Sequence, residues 1–160
     1  MRRRAALLLP LGVAACAAPA AFVETRDSGT MPLPVMPGLV VPEVALPLTL
    51  PDRDSTTALA QEALRRAIGE RPAADPAPDG ALLLQAAARG LPRVVRLSVV
   101  HAETVPGGLF GAATVTVAIR LRVLEVRTGW VVGEATFRRT SRSGEDIAAA
   151  IEALAAGLLA

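Results

Sequence analysis

The sequence predicts an α+β domain of two layers, in which helices pack on one face of a small antiparallel sheet of three or four strands. Three stretches in the second half of the chain alternate between apolar and polar residues, as strands with one buried face do. Segments with apolar residues at helical spacing lie before and after these stretches. The predicted order is therefore α-α-β-β-β-α. The chain has 160 residues and only 2% aromatic residues, so its core must consist of smaller aliphatic side chains.

Two helices are expected before the strands. The first begins at Asp54 or Ser55, either of which can cap it, and has its apolar positions within 59–68. The second covers 81–89 and ends at Gly90, because glycine readily terminates helices.

The last helix follows the strands. Ser143 is a suitable cap for it, and Asp146 provides an acidic side chain for its first turn. Its apolar stripe consists of Ile147, Ile151, Leu154 and Leu158.

The three predicted strands cover 93–104, 112–126 and 130–140. A three-residue loop, 127–129, joins the last two, with Gly129 in the left-handed conformation. This loop sets the register of the hairpin. The predicted facing pairs are Val126 with Trp130, Leu121 with Ala135, Ile119 with Phe137 and Arg122 with Glu134.

The N-terminus has three regions in the order of an export signal. Arg2, Arg3 and Arg4 precede an apolar run over 5–13 that is too short to span a bilayer, and small residues follow it. The segment Val13-Ala14-Ala15-Cys16 resembles the bacterial lipobox. The resemblance implies cleavage before Cys16 and attachment of diacylglycerol to its thiol.

Two alternatives to the lipobox stay open, an ordinary secretory peptide and a cytosolic protein with an irregular N-terminus. If Cys16 is lipidated, the lipid anchors the protein to a membrane of the cell envelope. By analogy with the same family, Ala17 after the cysteine favours the outer membrane, facing the periplasm, over the inner membrane.

Cleavage also changes the charge of the protein. It removes three arginines and no acid, so the formal net charge falls from +2 to −1. The basic character therefore belongs to the precursor, and we expect no nucleic acid as a partner.

Composition divides the chain into three parts: a lipoprotein signal peptide at 1–15, a lipidated cysteine and Pro-rich tether at 16–52, and an α+β domain at 53–160. Seven prolines at 17–52 disfavour helix and central strand. Several apolar residues lie between these prolines, although flexible linkers are usually polar. Either this tether packs along its own domain or another protein covers it.

No set of residues indicates catalysis. The chain has one His and one Cys, which excludes a disulfide framework and a structural zinc site. His101 is predicted on the inward line of its strand, two residues before Glu103. A hydrolase built on this pair is the weakest of the hypotheses, so we expect no enzyme, no cofactor and no metal.

Two apolar surfaces are candidates for binding a partner. At the tip of the predicted hairpin the outward positions become apolar, and such exposed clusters often mark interfaces. They are Leu124, Val126, Trp130 and Val132. The glycine-rich loop 106–111 adds Leu109 and Phe110. Alternatively, the tether or the second helix covers the hairpin tip.

The hairpin also carries a family resemblance. The turn Glu125-Val126-Arg127-Thr128-Gly129, between amphipathic strands and before an Ala-rich helix, is similar to periplasmic domains of curli-secretion and penicillin-binding-protein-activator lipoproteins. Glu125 stands where that family usually has Asp, whose shorter side chain reaches the turn backbone. The resemblance implies a small accessory domain without the pore-forming hairpins of a channel.

These observations predict a non-enzymatic, lipid-anchored envelope protein that binds a periplasmic or membrane protein, as an assembly factor or an activator. The alternative is an auxiliary lipoprotein subunit of an envelope transport or secretion complex.

Overall fold

The computed structural model describes residues 22–31, 34–109, 111–142 and 144–160, which form one sheet and three helices. In chain order the elements are β1 (Phe22–Thr30), β2 (Leu39–Val44), α1 (Arg53–Ile68), α2 (Asp79–Ala88), β3 (Arg93–Val105), β4 (Thr114–Glu125), β5 (Val131–Ser141) and α3 (Ile147–Leu158). The α+β class is confirmed, and so are the three helices and the three long strands of the second half.

The sheet has five strands in the order β1-β5-β4-β3-β2. Strand β2 is parallel to β3, and the other neighbours are antiparallel. The predicted sheet of three or four antiparallel strands therefore lacked an edge strand on either side. Both missing strands lie within 16–52, the range predicted as a tether.

Proline does not prevent β2 from joining the sheet, because β2 is an edge strand. The N–H of Val40 donates to the carbonyl of Pro72 on the outer side, at 2.8 Å. Backbone groups of residues two apart point to the same side of a strand, so Pro42 also faces outward. The N–H that proline lacks is therefore not needed for pairing with β3.

Strand β1 extends the sheet back to residue 22 of the chain. It pairs with β5 from Phe22 opposite Ser141 to Thr30 opposite Glu134, with a shift of register at residue 27. The sheet thus begins well before residue 53, where the sequence placed the start of the domain. For the described residues of the predicted tether, packing on its own domain is the alternative that matches the structure.

Helices cover both faces of the sheet, which corrects the prediction that all of them lie on one face. Helices α1 and α3 pack on one core cluster, to which Leu97, Ile119 and Leu121 contribute. Helix α2 lies on the opposite face, over a second cluster. This second cluster is Leu39, Val41, Leu82, Ala86, Val94 and Leu124. The neighbours Val94 and Val95 belong to different clusters, because successive side chains of a strand alternate between faces.

The predicted register of the β4–β5 hairpin is confirmed over most of its length. Leu121 faces Ala135, Ile119 faces Phe137 and Arg122 faces Glu134. The predicted pair of Val126 with Trp130 is wrong, because the register shifts after Val123 and Leu124 faces Val131. Gly129 has a φ of 72°, which confirms its left-handed conformation.

Two helices begin differently from the prediction. The carboxylate of Asp146 caps α3, since its Oδ1 accepts a hydrogen bond from the N–H of Ala149 at 2.7 Å. The predicted cap Ser143 lies outside the described residues. Helix α1 begins at Arg53 after Asp52, so neither Asp54 nor Ser55 is its cap.

Strand β2 gives a direct test of whether the Pro-rich segment belongs to the folded domain. Leu39 is fully buried beneath α2. We expect Leu39→Ala to lower the free energy of unfolding by about 2–5 kcal/mol, the usual loss when a buried leucine is truncated. Urea denaturation measures this change.

Leu48→Ala is the matched control, because Leu48 is 84% exposed and lies in the same Pro-rich region. We expect it to change the stability by about 0.5 kcal/mol or less. Equal effects of the two substitutions would show that 39–44 is not an integral strand.

Candidate functional site

Helix α2 covers only one end of its sheet face, and the rest of that face is polar. Side chains from β2, β3, β4 and β5 line a shallow groove beside the helix. They are Glu43, Arg96, Ser98, Arg120, Arg122 and Glu134.

Two arginines of this polar face bind the first residue of α2. Arg96 donates hydrogen bonds to Asp79 and to Glu43, and the Ser98 hydroxyl donates to the same Glu43 at 2.8 Å. Nη1 of Arg122 lies 3.1 Å from Oδ2 of Asp79. Asp79 therefore fixes the start of α2 to both β3 and β4.

Partial burial of the Arg96 guanidinium lowers its pKa, but the hydrogen bonds to Glu43 and Asp79 outweigh this effect. The pKa of Arg96 consequently lies above its ordinary value. Arg96 is thus a permanent cation whose charge two carboxylates neutralise.

The contacts of Glu134 are looser. Its oxygens lie 3.8 Å from Nε of Arg122 and 3.9 Å from Nε of Arg120, and all three side chains are partly exposed. Exposed pairs of this kind contribute little to stability. Three arginines and three carboxylates balance in this network, so we assign it to positioning α2 rather than to binding an anion.

The His101 side chain lies on this polar face. The sequence had predicted it on the inward line of its strand, and that prediction is wrong. The register of β3 and β4 shifts between Val99 and His101, so Val100 forms a bulge and the following residues change faces. Ala102 takes the core position instead. Nε2 of His101 is 3.5 Å from Oε2 of Glu103, and both side chains are exposed enough to contact solvent.

Two of the residues predicted to bind a partner are covered by α2. Leu124 is buried beside Leu82 and Ala86, and Val126 packs partly against the same cluster. The N–H of Val126 also donates to the carbonyl of Pro92 at 2.9 Å. The alternative in which the second helix covers the hairpin tip therefore applies to this pair.

The remaining apolar residues of the hairpin tip are exposed. Trp130 is 76% exposed, and Val131 and Val132 are each exposed by about two fifths. The register shift leaves Val132 without a facing residue on β4. We call these three residues the tip patch.

Hydrogen bonds hold the turn that carries the tip patch. The N–H of Gly129 donates to the carbonyl of Glu125 at 2.8 Å, and the N–H of Glu125 donates to the carbonyl of Trp130 at 2.9 Å. The Thr128 hydroxyl donates to the Glu125 carboxylate at 2.8 Å and accepts from the N–H of Trp130 at 3.3 Å. Glu125 thus reaches the turn backbone through Thr128, although its side chain is longer than that of Asp.

The second predicted surface is the loop between β3 and β4. Leu109 is 97% exposed there. The N–H of Gly111 donates to the carbonyl of Gly108 at 2.9 Å, which closes the turn. Phe110 and the predicted lipidation site Cys16 lie outside the described residues.

Across residues 22–31, 34–109, 111–142 and 144–160, no three His, Cys, Asp or Glu side chains come together as metal ligands. None of the helices in this described part has the length and apolarity needed to cross a bilayer.

The protein belongs to the α+β class, with a mixed five-stranded sheet and helices on both faces. Comparisons with known proteins show where else this fold occurs. The structure is similar to PelC of Paraburkholderia phytofirmans, described as a dodecamer, with a TM-score of 0.53 and 21% identity over 87% of this chain and 95% of that chain. A variant of the same PelC matches with a TM-score of 0.52 and 23% identity, over 87% and 96% of the two chains.

A lipoprotein of Neisseria meningitidis matches less well, with a TM-score of 0.37 and 13% identity over 77% of this chain and 93% of that chain. No protein family model and no curated protein match the sequence. The comparisons therefore establish that this chain shares the PelC fold.

Asp79 allows a test of how α2 is held. Asp79→Asn removes the charge that pairs with Arg96 and Arg122, and we expect a loss of about 1–2 kcal/mol in the free energy of unfolding. Amide hydrogen exchange in α2 should accelerate more than exchange in α3.

Asp75→Asn makes the same chemical change at an exposed residue four positions earlier. It should leave both the stability and the exchange in α2 unchanged. If the two variants behave alike, the ion pairs do not position α2.

Proposed function

We propose that this protein is a lipid-anchored protein of the cell envelope that binds a protein partner through the tip patch. The observation that carries the proposal is the exposure of Trp130, Val131 and Val132 on a hydrogen-bonded turn. Tryptophan is enriched at the residues that dominate binding energy in interfaces. We propose no catalytic step.

The rigidity of the turn supports binding at this place. A side chain that is already held in position loses little conformational entropy on association. Glu125 and Thr128 fix the backbone on one side of Trp130, and the burial of Leu124 fixes it on the facing strand. The partner would meet a preformed surface.

The anchor in this proposal is the lipidated Cys16. It rests on the resemblance of 13–16 to the lipobox, with Ala17 favouring the outer membrane. A diacylglycerol group together with an N-terminal acyl chain gives stable attachment, whereas one chain gives only marginal attachment.

Metabolic labelling with a clickable fatty acid tests the anchor. We expect the wild-type protein to incorporate the label and Cys16→Ser to lose it, because the chain has no other thiol. Equal labelling of both proteins, or of neither, would contradict lipidation at Cys16.

Site-specific photo-crosslinking tests the tip patch. A photoreactive amino acid at position 130 should capture one defined envelope protein in living cells, and an untagged competitor carrying Trp130→Ala should reduce this capture less than a wild-type competitor does. The same amino acid at position 84 is the control, because Leu84 is a highly exposed apolar residue of α2. Equal capture from the two positions would count against a site at the tip.

The second candidate function is that of a subunit in a larger envelope assembly, such as a transport or secretion complex. It is favoured by the shared fold with PelC, which is described as a dodecamer. In the same crosslinking experiment, products containing two copies of this chain would support that candidate.

A further inference from the structure

We propose that the end of the sheet where β1 begins faces the membrane, that Leu109 contacts the lipid surface there, and that the tip patch points away from it. This inference rests on the proposed lipid anchor at Cys16. It adds an orientation and a second contact surface to that proposal.

The register of the sheet defines the membrane-facing end. Phe22 of β1 faces Ser141 of β5, Ser141 faces Val115 of β4, and Val115 faces Thr104 of β3. These four residues form one row across the sheet. The β3–β4 loop, with Leu109 in it, projects beyond this row, and we call this end the anchor end.

Strand β1 is firmly attached at the anchor end. Nη1 of Arg139 on β5 lies 2.6 Å from Oε1 of Glu24, two residues after Phe22. The same guanidinium binds Glu145, which lies just before α3, with distances of 3.0 and 3.2 Å. The hydrogen bond to Glu145 and that to Glu24 raise the pKa of Arg139 despite its partial burial, so Arg139 stays charged.

The chain between the anchor and the sheet is short. Phe22 is the sixth residue after Cys16, and six residues span at most about 22 Å even when fully extended. A lipidated Cys16 therefore keeps the anchor end within this distance of the membrane surface.

The tip patch lies at the far end of β5. That strand has eleven residues, which correspond to a length of about 35 Å. Trp130 immediately precedes it, so the distance from the anchor end to the tip patch exceeds the reach of the six-residue connection. The tip patch can contact the same membrane only if the domain lies on its side.

The charges on both sides of the domain oppose such a position. If the domain lay on its α2 side, the polar face with Arg96 and Arg122 would contact the lipid. If it lay on the opposite side, exposed ion pairs of α1 and α3, such as Arg66 with Glu152, would contact the lipid. Removing these charged groups from water is unfavourable without new partners. The anchor end instead offers exposed Leu109 and the partly exposed Val105, together with Arg142 for anionic head groups.

Tryptophan fluorescence can measure this orientation, because Trp130 is the only tryptophan of the chain. The full-length lipidated protein is reconstituted on vesicles of phosphatidylethanolamine and phosphatidylglycerol that contain a doxyl-labelled phospholipid. We expect the emission of Trp130 to be the same with and without the doxyl label. In the double variant Trp130→Phe, Leu109→Trp, the emission should fall strongly when the label is present.

The other outcomes overturn the proposal in distinguishable ways. Quenching at both positions would mean that the domain lies on the membrane, and quenching at 130 alone would mean that the tip patch contacts the lipid while the loop does not. Absence of quenching at both positions, with flotation showing bound protein, would mean that the loop stays clear of the lipid.

Mass spectrometry of the reconstituted protein separates these outcomes from failure of the anchor itself. If it detects no lipid on Cys16, the anchor fails together with the orientation. If lipid is present and the quenching pattern differs from the expected one, the anchor stands and the orientation alone is wrong.

Discussion

Burial of Leu39 and Val41 beneath α2 is the constraint on which the arrangement of that face of the sheet depends. The two residues extend an apolar platform formed by Val94 and Leu124, and α2 packs over the combined surface. Without β2 at the edge, this platform would lose two of its four sheet residues. The position of α2 then decides which parts of the sheet contact solvent, namely the polar face and the tip patch.

The same arrangement explains why so much of the face beside α2 is charged. Asp79 begins the helix, and the arginines of two strands converge on it. The ion pairs hold the start of α2, and Leu82 and Ala86 pack on the sheet further along the helix. The network therefore belongs to the scaffold that presents the tip patch.

Sequence reasoning predicted the elements in which local pattern and tertiary structure agree. Alternation on β4 and β5 correctly predicted that Leu121 faces Ala135 and Ile119 faces Phe137. These residues lie away from the register shifts and keep a period of two. Alternation failed after Val100, where one extra residue moves the following side chains to the other face, and before Val132, where the register shift breaks the predicted pair of Val126 with Trp130. His101 was placed on the wrong face for the first reason alone.

The edge strands could not be predicted, because prolines disfavour strands except at an outer edge, and one sequence does not show which strand is outermost. The candidate site was predicted in part. Alternation indicated Trp130 and Val132 as outward residues, while the burial of Leu124 depends on α2 crossing to the other face. The binding of Arg96 to Glu43 was missed, since Glu43 lies in the segment predicted as a tether.

The register shift at residue 27 of β1 affects how this edge of the sheet can pair with another sheet. An edge strand with regular pairing groups is a template for the edge of another sheet. The bulge interrupts the regular row of backbone groups, and the charged, exposed side chains of Glu24 and Arg26 precede it. These features make β1 a poor template for open-ended sheet growth.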